Sequence, residues 1–293
     1  MEINGLSKSY NVTTVLDIDH LSIKTGRFYA IVGENGAGKT TLFRILAGLT
    51  PPTGGTVTFS ENNESIGVMI ERPAVELNMT AKENLLWASK LYGEDKCEKI
   101  DKILEMVNLS TGKKKVKAFS LGMKQRLGIA MSLIHNPDLM ILDEPMNGLD
   151  PTGMIELRNI LLNINKNGTT IILSSHMLEE VYKMATDYIF IKKGKIVNSI
   201  SMSEMEDLES FEHIIKTTDN ARTLHILQND LGCETRIRND EIMFDIQEES
   251  IQVLSKKLSD EDIYILCLYK KNFKIEEYYI DIMKDRAETI IQK

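Results

Sequence analysis

The residues from Gly33 to Thr41 read GENGAGKTT. Gly33 and Gly38 frame a turn in which backbone N–H groups can converge on an anion, and Lys39 and Thr40 follow where a helix would start. In such a loop Gly33, Glu34, Asn35, Gly36, Ala37, Gly38, Lys39, Thr40 and Thr41 wrap the phosphates of a nucleotide, and the helix dipole adds to the attraction. Lys39 reaches the β- and γ-phosphates, and the Thr40 hydroxyl ligates Mg2+. About 100 residues later, LMILDEP at 139–145 ends in two adjacent acids. Asp143 offers hard oxygens to the magnesium shell, and Glu144 can take a proton from an attacking water. Each motif alone has a plainer reading, as a chance glycine turn or a polar strand end. Together they describe nucleotide hydrolysis.

Those residues need elements to hold them. Short apolar runs alternate with helical patterns through the first 200 residues, the mark of an α/β domain built on a parallel sheet. FYAIV (28–32), LMILDEP (139–145) and TTIILSSH (169–176) read as buried strands, with a further strand around 66–71. The helix starting in GKTTLFRILAGL sets Leu42, Ile45, Leu46 and Leu49 on one face. Another begins after Pro151 and is closed by Gly168. Between the strand at 66–71 and the one at 139 lies a mostly helical insert, about 78–135. Its first helix is announced by TAKE (80–83), a capping box of Thr80 and Glu83.

After about residue 205 the pattern becomes β-α-β-β-α-β, with Asn239-Asp240 supplying a hairpin turn. The last helix, IEEYYIDIMK, carries Ile275, Tyr279, Ile282 and Met283 on one side. The expected fold class is α/β, a P-loop NTPase core over 1–204 with mixed sheet and helical subdomain. A small α+β, ferredoxin-like domain is expected over 205–293.

A chain of 293 residues has room for one large domain or two unequal ones. No apolar run approaches the roughly 18 residues needed to span a bilayer, and MEINGLSKSY lacks the basic start and apolar stretch of a secretory signal. A cytosolic chain is expected. Cys97, Cys233 and Cys267 are far apart, lack a CxxC spacing, and read as reduced, mostly buried thiols. The net charge of −8 is uneven, residues 201–293 holding 12 basic and 21 acidic residues. That balance argues against nucleic-acid binding. GKKKVK at 112–117 is the one basic cluster, a solvated loop or a contact for a partner or membrane surface.

What the nucleotide is for is read from FSLGMKQRLGIAMSL at 119–133. Here the chain resembles the ATP-binding-cassette (ABC) transporter family, whose signature runs from Ser120 through Gly122 into a helix. The resemblance covers residues 1 to about 200. It implies that ATP and Mg2+ are bound, and that Ser120 and Gly122 meet the γ-phosphate held by a second subunit. Hydrolysis then requires a homodimer or a paired cassette. It further implies that Tyr10 stands against adenine, that Asp150 of NGLD (147–150) meets the opposite subunit, and that His176 is the switch histidine near the γ-phosphate. Taken singly, Tyr10 would be an ordinary strand aromatic, Ser120 a helix cap and His176 a structural histidine. The family also implies an integral membrane permease as partner and a peripheral position on the inner face of the cell membrane.

The chain departs from the common pattern in two places. Leu121 and Met123 stand where glycine and glutamine are usual, which leaves Ser120 and Gly122 to make the phosphate contact. Glu71, within SIGVMIERPAVELNMTAKENL, stands where most members carry a glutamine that links nucleotide to membrane partner. These stretches resemble bacterial cassettes that serve self-immunity to lantibiotics and resistance to bacitracin-like peptides, and the acidic C-terminal extension fits that branch. The expected function is the ATPase subunit of such an exporter, with Glu71 touching the magnesium shell when nucleotide is bound. A solvated loop acid is the plainer alternative. The competing function is a soluble ABC-type ATPase acting on a ribosome or DNA complex. A single phosphate loop, the lack of a heptad run and the acidic balance weigh against it. A phosphotransfer kinase would leave the signature and His176 unexplained.

Overall fold

A computed structural model describes residues 1–59, 65–93, 97–109, 112–207, 213–238, 241–270 and 275–283. The chain divides into two compact units, Met1–Met202 together with a C-terminal helix starting at Ile275, and Ser203–Lys274. The first unit runs β1 (Glu2–Tyr10), β2 (Thr13–Ser22), β3 (Phe28–Val32), α1 (Lys39–Leu46), β4 (Gly54–Thr58) and β5 (Ile66–Met69). The helical insert follows as α2 (Ala81–Leu91), α3 (Cys97–Met106) and α4 (Leu121–Ser132). The chain then returns through β6 (Leu139–Asp143), α5 (Pro151–Lys166), β7 (Thr170–Ser175), α6 (Leu178–Tyr182), β8 (Asp187–Lys192) and β9 (Lys195–Ser201).

Six strands form one sheet in the order β5-β6-β7-β3-β8-β9, parallel except for β9. The strands β3, β6 and β7 are buried at every position. Their uninterrupted apolar runs are what a strand covered on both faces requires. A separate antiparallel sheet, β2-β1-β4, shares a core with the first through Leu16, Ile18, Ile31, Leu42, Phe43 and Ile189. In the parallel sheet Val32 lies beside Ser175, Asp143 beside Ser174, and Met69 beside Leu142. Four strand ends therefore meet along one edge, where open α/β sheets bind ligands.

Leu49 departs from the expected buried face of α1 and is 65% exposed. The helix stops at Leu46. Gly48 turns into the left-handed region at φ 69°, its N–H donates to Ile45 O, and the Leu49 N–H donates to Arg44 O. That is a Schellman end, which throws the next side chain outward. In the insert, both bonds of the Thr80–Glu83 capping box are present, at 2.6 and 3.2 Å.

The second unit contains β10 (His213–Thr217), β11 (Thr235–Arg238), β12 (Glu241–Phe244) and β13 (Ile265–Lys270) in the antiparallel order β11-β12-β10-β13. Between β10 and β11 the chain forms α8 (Asn220–His225) and a π turn over Ile226–Asp230; α9 (Glu248–Asp260) precedes β13, and α7 (Met202–Asp207) leads into the unit. The connectivity and strand order are ferredoxin-like, around a core of Ile215, Leu227, Ile242, Phe244 and Leu254. The expected turn at Asn239-Asp240 lies outside the described residues.

The helix α10 (Ile275–Met283), expected to close the second domain, packs on the first unit instead. Tyr278 and Tyr279 lie 5.8 and 6.2 Å from the Phe190 ring of β8. Lys192 Nζ donates to Met283 O at 2.6 Å, neutralising the negative end of the helix. An amphipathic stripe needs an apolar partner, and β8 provides one.

Candidate functional site

The phosphate loop links β3 to α1 across six residues, Gly33 to Gly38. Two glycines are fixed by their neighbours. A Cβ at Gly33 would lie 2.3 Å from Ile191 O, and one at Gly38, where φ is 105°, would lie 2.8 Å from Val15 O. Lys39 is buried, and its ammonium donates to Gly33 O at 2.7 Å and Glu34 O at 3.1 Å. The cation thus sits inside the turn. A cleft of about 220 Å³ opens there, lined by Asn35, Gly36, Lys39, Thr40, Thr41, Asp143 and Glu144 among others.

The two acids at the end of β6 sit in different surroundings. Asp143 is buried and accepts from Thr40 Oγ1 at 2.7 Å and from Ser174 Oγ at 2.6 Å. The same serine oxygen accepts from the Glu144 N–H at 2.9 Å. Glu144 adopts φ 48°, which turns it out of the strand. Its carboxylate accepts from His176 Nδ1 at 2.8 Å and lies 3.8 Å from Lys39 Nζ. A carboxylate held between a histidine and a lysine beside an open cleft can take a proton from water.

Ser120 and Asp150 stand apart from that cleft. Ser120 caps α4, accepting from Met123 N at 3.3 Å, and Asp150 caps α5, accepting from Gly153 N at 3.2 Å. Their two loops touch each other. A Cβ at Gly148 would meet Leu121 Cδ2 at 2.9 Å, and one at Gly122 would meet Leu149 at 3.6 Å. Leu121, 46% exposed, fills this contact where a glycine is usual. Two helix N-termini with free donors are therefore presented side by side.

Glu71 also lies outside the cleft. It adopts φ 63°, and its carboxylate is paired with Arg44 on α1. Tyr10, 46% exposed, ends β1 with the Lys8 ammonium 5.1 Å above its ring. The β2 strand continues from this hairpin to Val15 and Leu16, which touch Gly38.

A family model described as ABC transporter matches residues 16–147. The chain is similar to the bacitracin transport ATP-binding protein BcrA of Enterococcus faecalis, 41% identical over 216 residues that cover 70% of each chain. It is also similar to the lantibiotic transport ATP-binding protein SrtF of Streptococcus pyogenes, 43% identical over 71% of this chain and 94% of that one. This chain belongs to the ATP-binding subunits of ABC transporters. A solved ATP-binding subunit of an ABC transporter is 25% identical, with a TM-score of 0.63 over 71% of this chain and 92% of that one. The chain is thus an ABC-type ATPase that binds ATP and serves a transporter.

The cassette's donor set also suits magnesium. Thr40 and Asp143 bring two hard oxygens together. Among the described residues no group of three or more His, Cys, Asp or Glu is placed to hold a metal. Mg2+ is typically bound by one or two protein oxygens plus substrate phosphates, and the two present fit it. The residue that sequence reasoning missed is Ser174. The signal was there in the SSH that ends β7, but its meaning depends on the lateral register with β6. No helix among the described residues is long and apolar enough to cross a membrane.

Proposed function

We propose that this ABC-type ATPase drives export of a peptide antibiotic through a separate membrane subunit, working as a head-to-tail dimer on the inner face of the membrane. The observation that carries the dimer is that the cleft holds only half of the family's phosphate contacts. Ser120, Gly122 and Asp150 do not line the cleft around their own Lys39 and sit on two adjoining helix N-termini that suit an anion carried by a second copy. The class of cargo follows from similarity to bacitracin and lantibiotic transport proteins.

Within one cleft the backbone N–H groups of residues 33–41 bind the phosphates, Tyr10 flanks the base, and Lys39 leaves its resting carbonyls for the β- and γ-phosphates. Thr40 and Asp143 would hold Mg2+, which would supply positive charge to offset that of the phosphates. Glu144 orients a water and takes its proton, and His176 positions that carboxylate through the 2.8 Å bond. The direct Thr40–Asp143 bond of 2.7 Å keeps together the two oxygens that would hold the ion.

Glu144→Gln tests this reading. It keeps size and one hydrogen bond but removes the base, whose contribution is roughly 10²–10⁴-fold. The variant should bind ATP, hydrolyse it at a rate reduced to that degree, and elute at twice the monomer mass with ATP and Mg2+. Turnover near the wild-type rate would remove Glu144 from the mechanism. Protection of cells against bacitracin or a lantibiotic, when the chain is expressed with its membrane partner, tests the cargo.

A further inference from the structure

The loop from Ile70 to Met79 is held at its two ends by contacts of different character. At its start, the Arg72 N–H donates to Ile70 O at 2.8 Å across Glu71, whose φ is 63°. A three-residue turn with positive φ at a non-glycine centre is rare and strained. The Glu71 carboxylate is paired with Arg44 Nη2, with 59% and 43% of the two side chains exposed. The register of Met69 with Leu142 brings the end of β5 beside the end of β6, where Asp143 lies. Arg44 lies four residues along α1 from Thr40, about 6 Å or one turn. The ion pair therefore tethers the Glu71 carboxylate to the same helix that carries Thr40.

At its far end the loop is fastened to the insert. Buried Asn84 of α2 accepts from the Glu76 N–H at 2.7 Å and donates to Thr80 O at 2.9 Å. Leu77 O accepts from Lys117 N, and Met79 O from Val116 N, both at 2.9 Å. Phe119 and Ser120 follow directly. A shift of Glu71 is thereby carried toward both α2 and the cap of α4.

Resting on the ATP and magnesium reading above, we propose that Arg44 is a positioning residue that competes with Mg2+ for the Glu71 carboxylate. While Glu71 is on Arg44, the loop keeps its strained turn and the carboxylate is held by the ion pair. Transfer of Glu71 to the metal breaks the ion pair, releases the turn and draws the loop toward the strand ends. Arg44 then sets the magnesium concentration at which the loop moves.

The test titrates Mg2+ into the full chain saturated with a non-hydrolysable ATP analogue. The readout is the fluorescence of Trp87, the one tryptophan in the chain, which lies on α2. Arg44→Gln should lower the Mg2+ midpoint by about 2- to 5-fold, the range of an exposed ion pair. Arg44→Lys, which keeps the charge, should stay near the wild-type midpoint. In a Glu71→Gln background, Arg44→Gln should shift the midpoint by less than about 1.5-fold, because the competition is already gone. An unchanged midpoint in Arg44→Gln overturns the proposal, as does an equal shift in both backgrounds, which would make Arg44 a general surface charge. A wild-type chain that binds no analogue would instead overturn the functional reading on which the proposal stands.

Discussion

Ser174→Ala should be among the most damaging single-atom deletions in the cassette, although no catalytic motif contains it. The serine is fully buried, its hydroxyl donates to Asp143 at 2.6 Å, and its oxygen accepts from the Glu144 N–H at 2.9 Å. Alanine leaves both partners without that bond. A buried polar group deprived of its partner costs about 1–3 kcal/mol, so two together cost roughly 2–4 kcal/mol, Asp143 keeping its bond from Thr40. For a unit of this size that corresponds to a melting point lower by about 5–15 °C. Hydrolysis should fall as well, because the Glu144 backbone is no longer held; each 1.4 kcal/mol of lost positioning is about tenfold in rate. Ser175→Ala is the matched control. Its oxygen accepts one bond, from Met177 N at 2.9 Å, so about 1 kcal/mol is expected. Differential scanning calorimetry and steady-state ATPase assays read both effects. If Ser174→Ala melts within about 1 °C of Ser175→Ala, the bridging role assigned here is wrong.

Two further outcomes follow from other parts of the molecule. Mixing a Lys39→Ala chain with a Ser120→Arg chain should restore hydrolysis, because each heterodimer regains one cleft with both an intact lysine and an intact facing serine; no recovery where heterodimers demonstrably form would refute the shared site. Glu83 is held at about pKa 2, below its ordinary 4.5, first by the Thr80 backbone N–H and then by the Lys115 ammonium. A depressed carboxylate stabilises the fold above its ordinary pKa, and that contribution fades as pH falls from about 4.5 toward 2. Trp87 fluorescence should therefore report loosening of α2 on acidification, and Glu83→Gln should flatten that response; an unaltered acid profile in the variant would deny Glu83 the role.

Much of the cleft was legible because its chemistry is local. Gly33 through Thr41 are contiguous, and Asp143 and Glu144 terminate one apolar strand, so spacing alone brings out their meaning. Ser174 was hidden for the opposite reason. Its partner is 31 residues away, and only the parallel pairing of β6 with β7 sets it beside Asp143. The Arg44–Glu71 pair was hidden likewise, because it depends on a non-glycine residue at positive φ, which sequence does not announce. The one-sided stripe on α10 was legible from its spacing. What it is buried against is a tertiary fact, and the contact with Phe190 moves that helix from the second unit to the first. The strands β1, β2 and β4 were never picked out, since their alternation is broken by polar residues such as those of NGLSKSY.

The adjacency of Asp143 and Glu144 raises a physical question that the geometry answers. Two carboxylates side by side on a strand end would normally share surroundings, and a metal-holding acid and a proton-accepting acid need different ones. The chain separates them by the sign of one backbone angle. Asp143 remains in the strand, with each oxygen already engaged by a hydroxyl, from Thr40 and from Ser174. Glu144 turns at φ 48° and leaves it, placing its oxygens between His176 and Lys39 at the open side. A left-handed conformation at a non-glycine residue costs on the order of 1–2 kcal/mol. Two hydrogen bonds offset it, from Glu144 N to Ser174 Oγ and from Asn147 N to Glu144 O at 3.1 Å. Ser174 thus acts on both acids at once, fixing the one that stays and anchoring the turn that lets the other go.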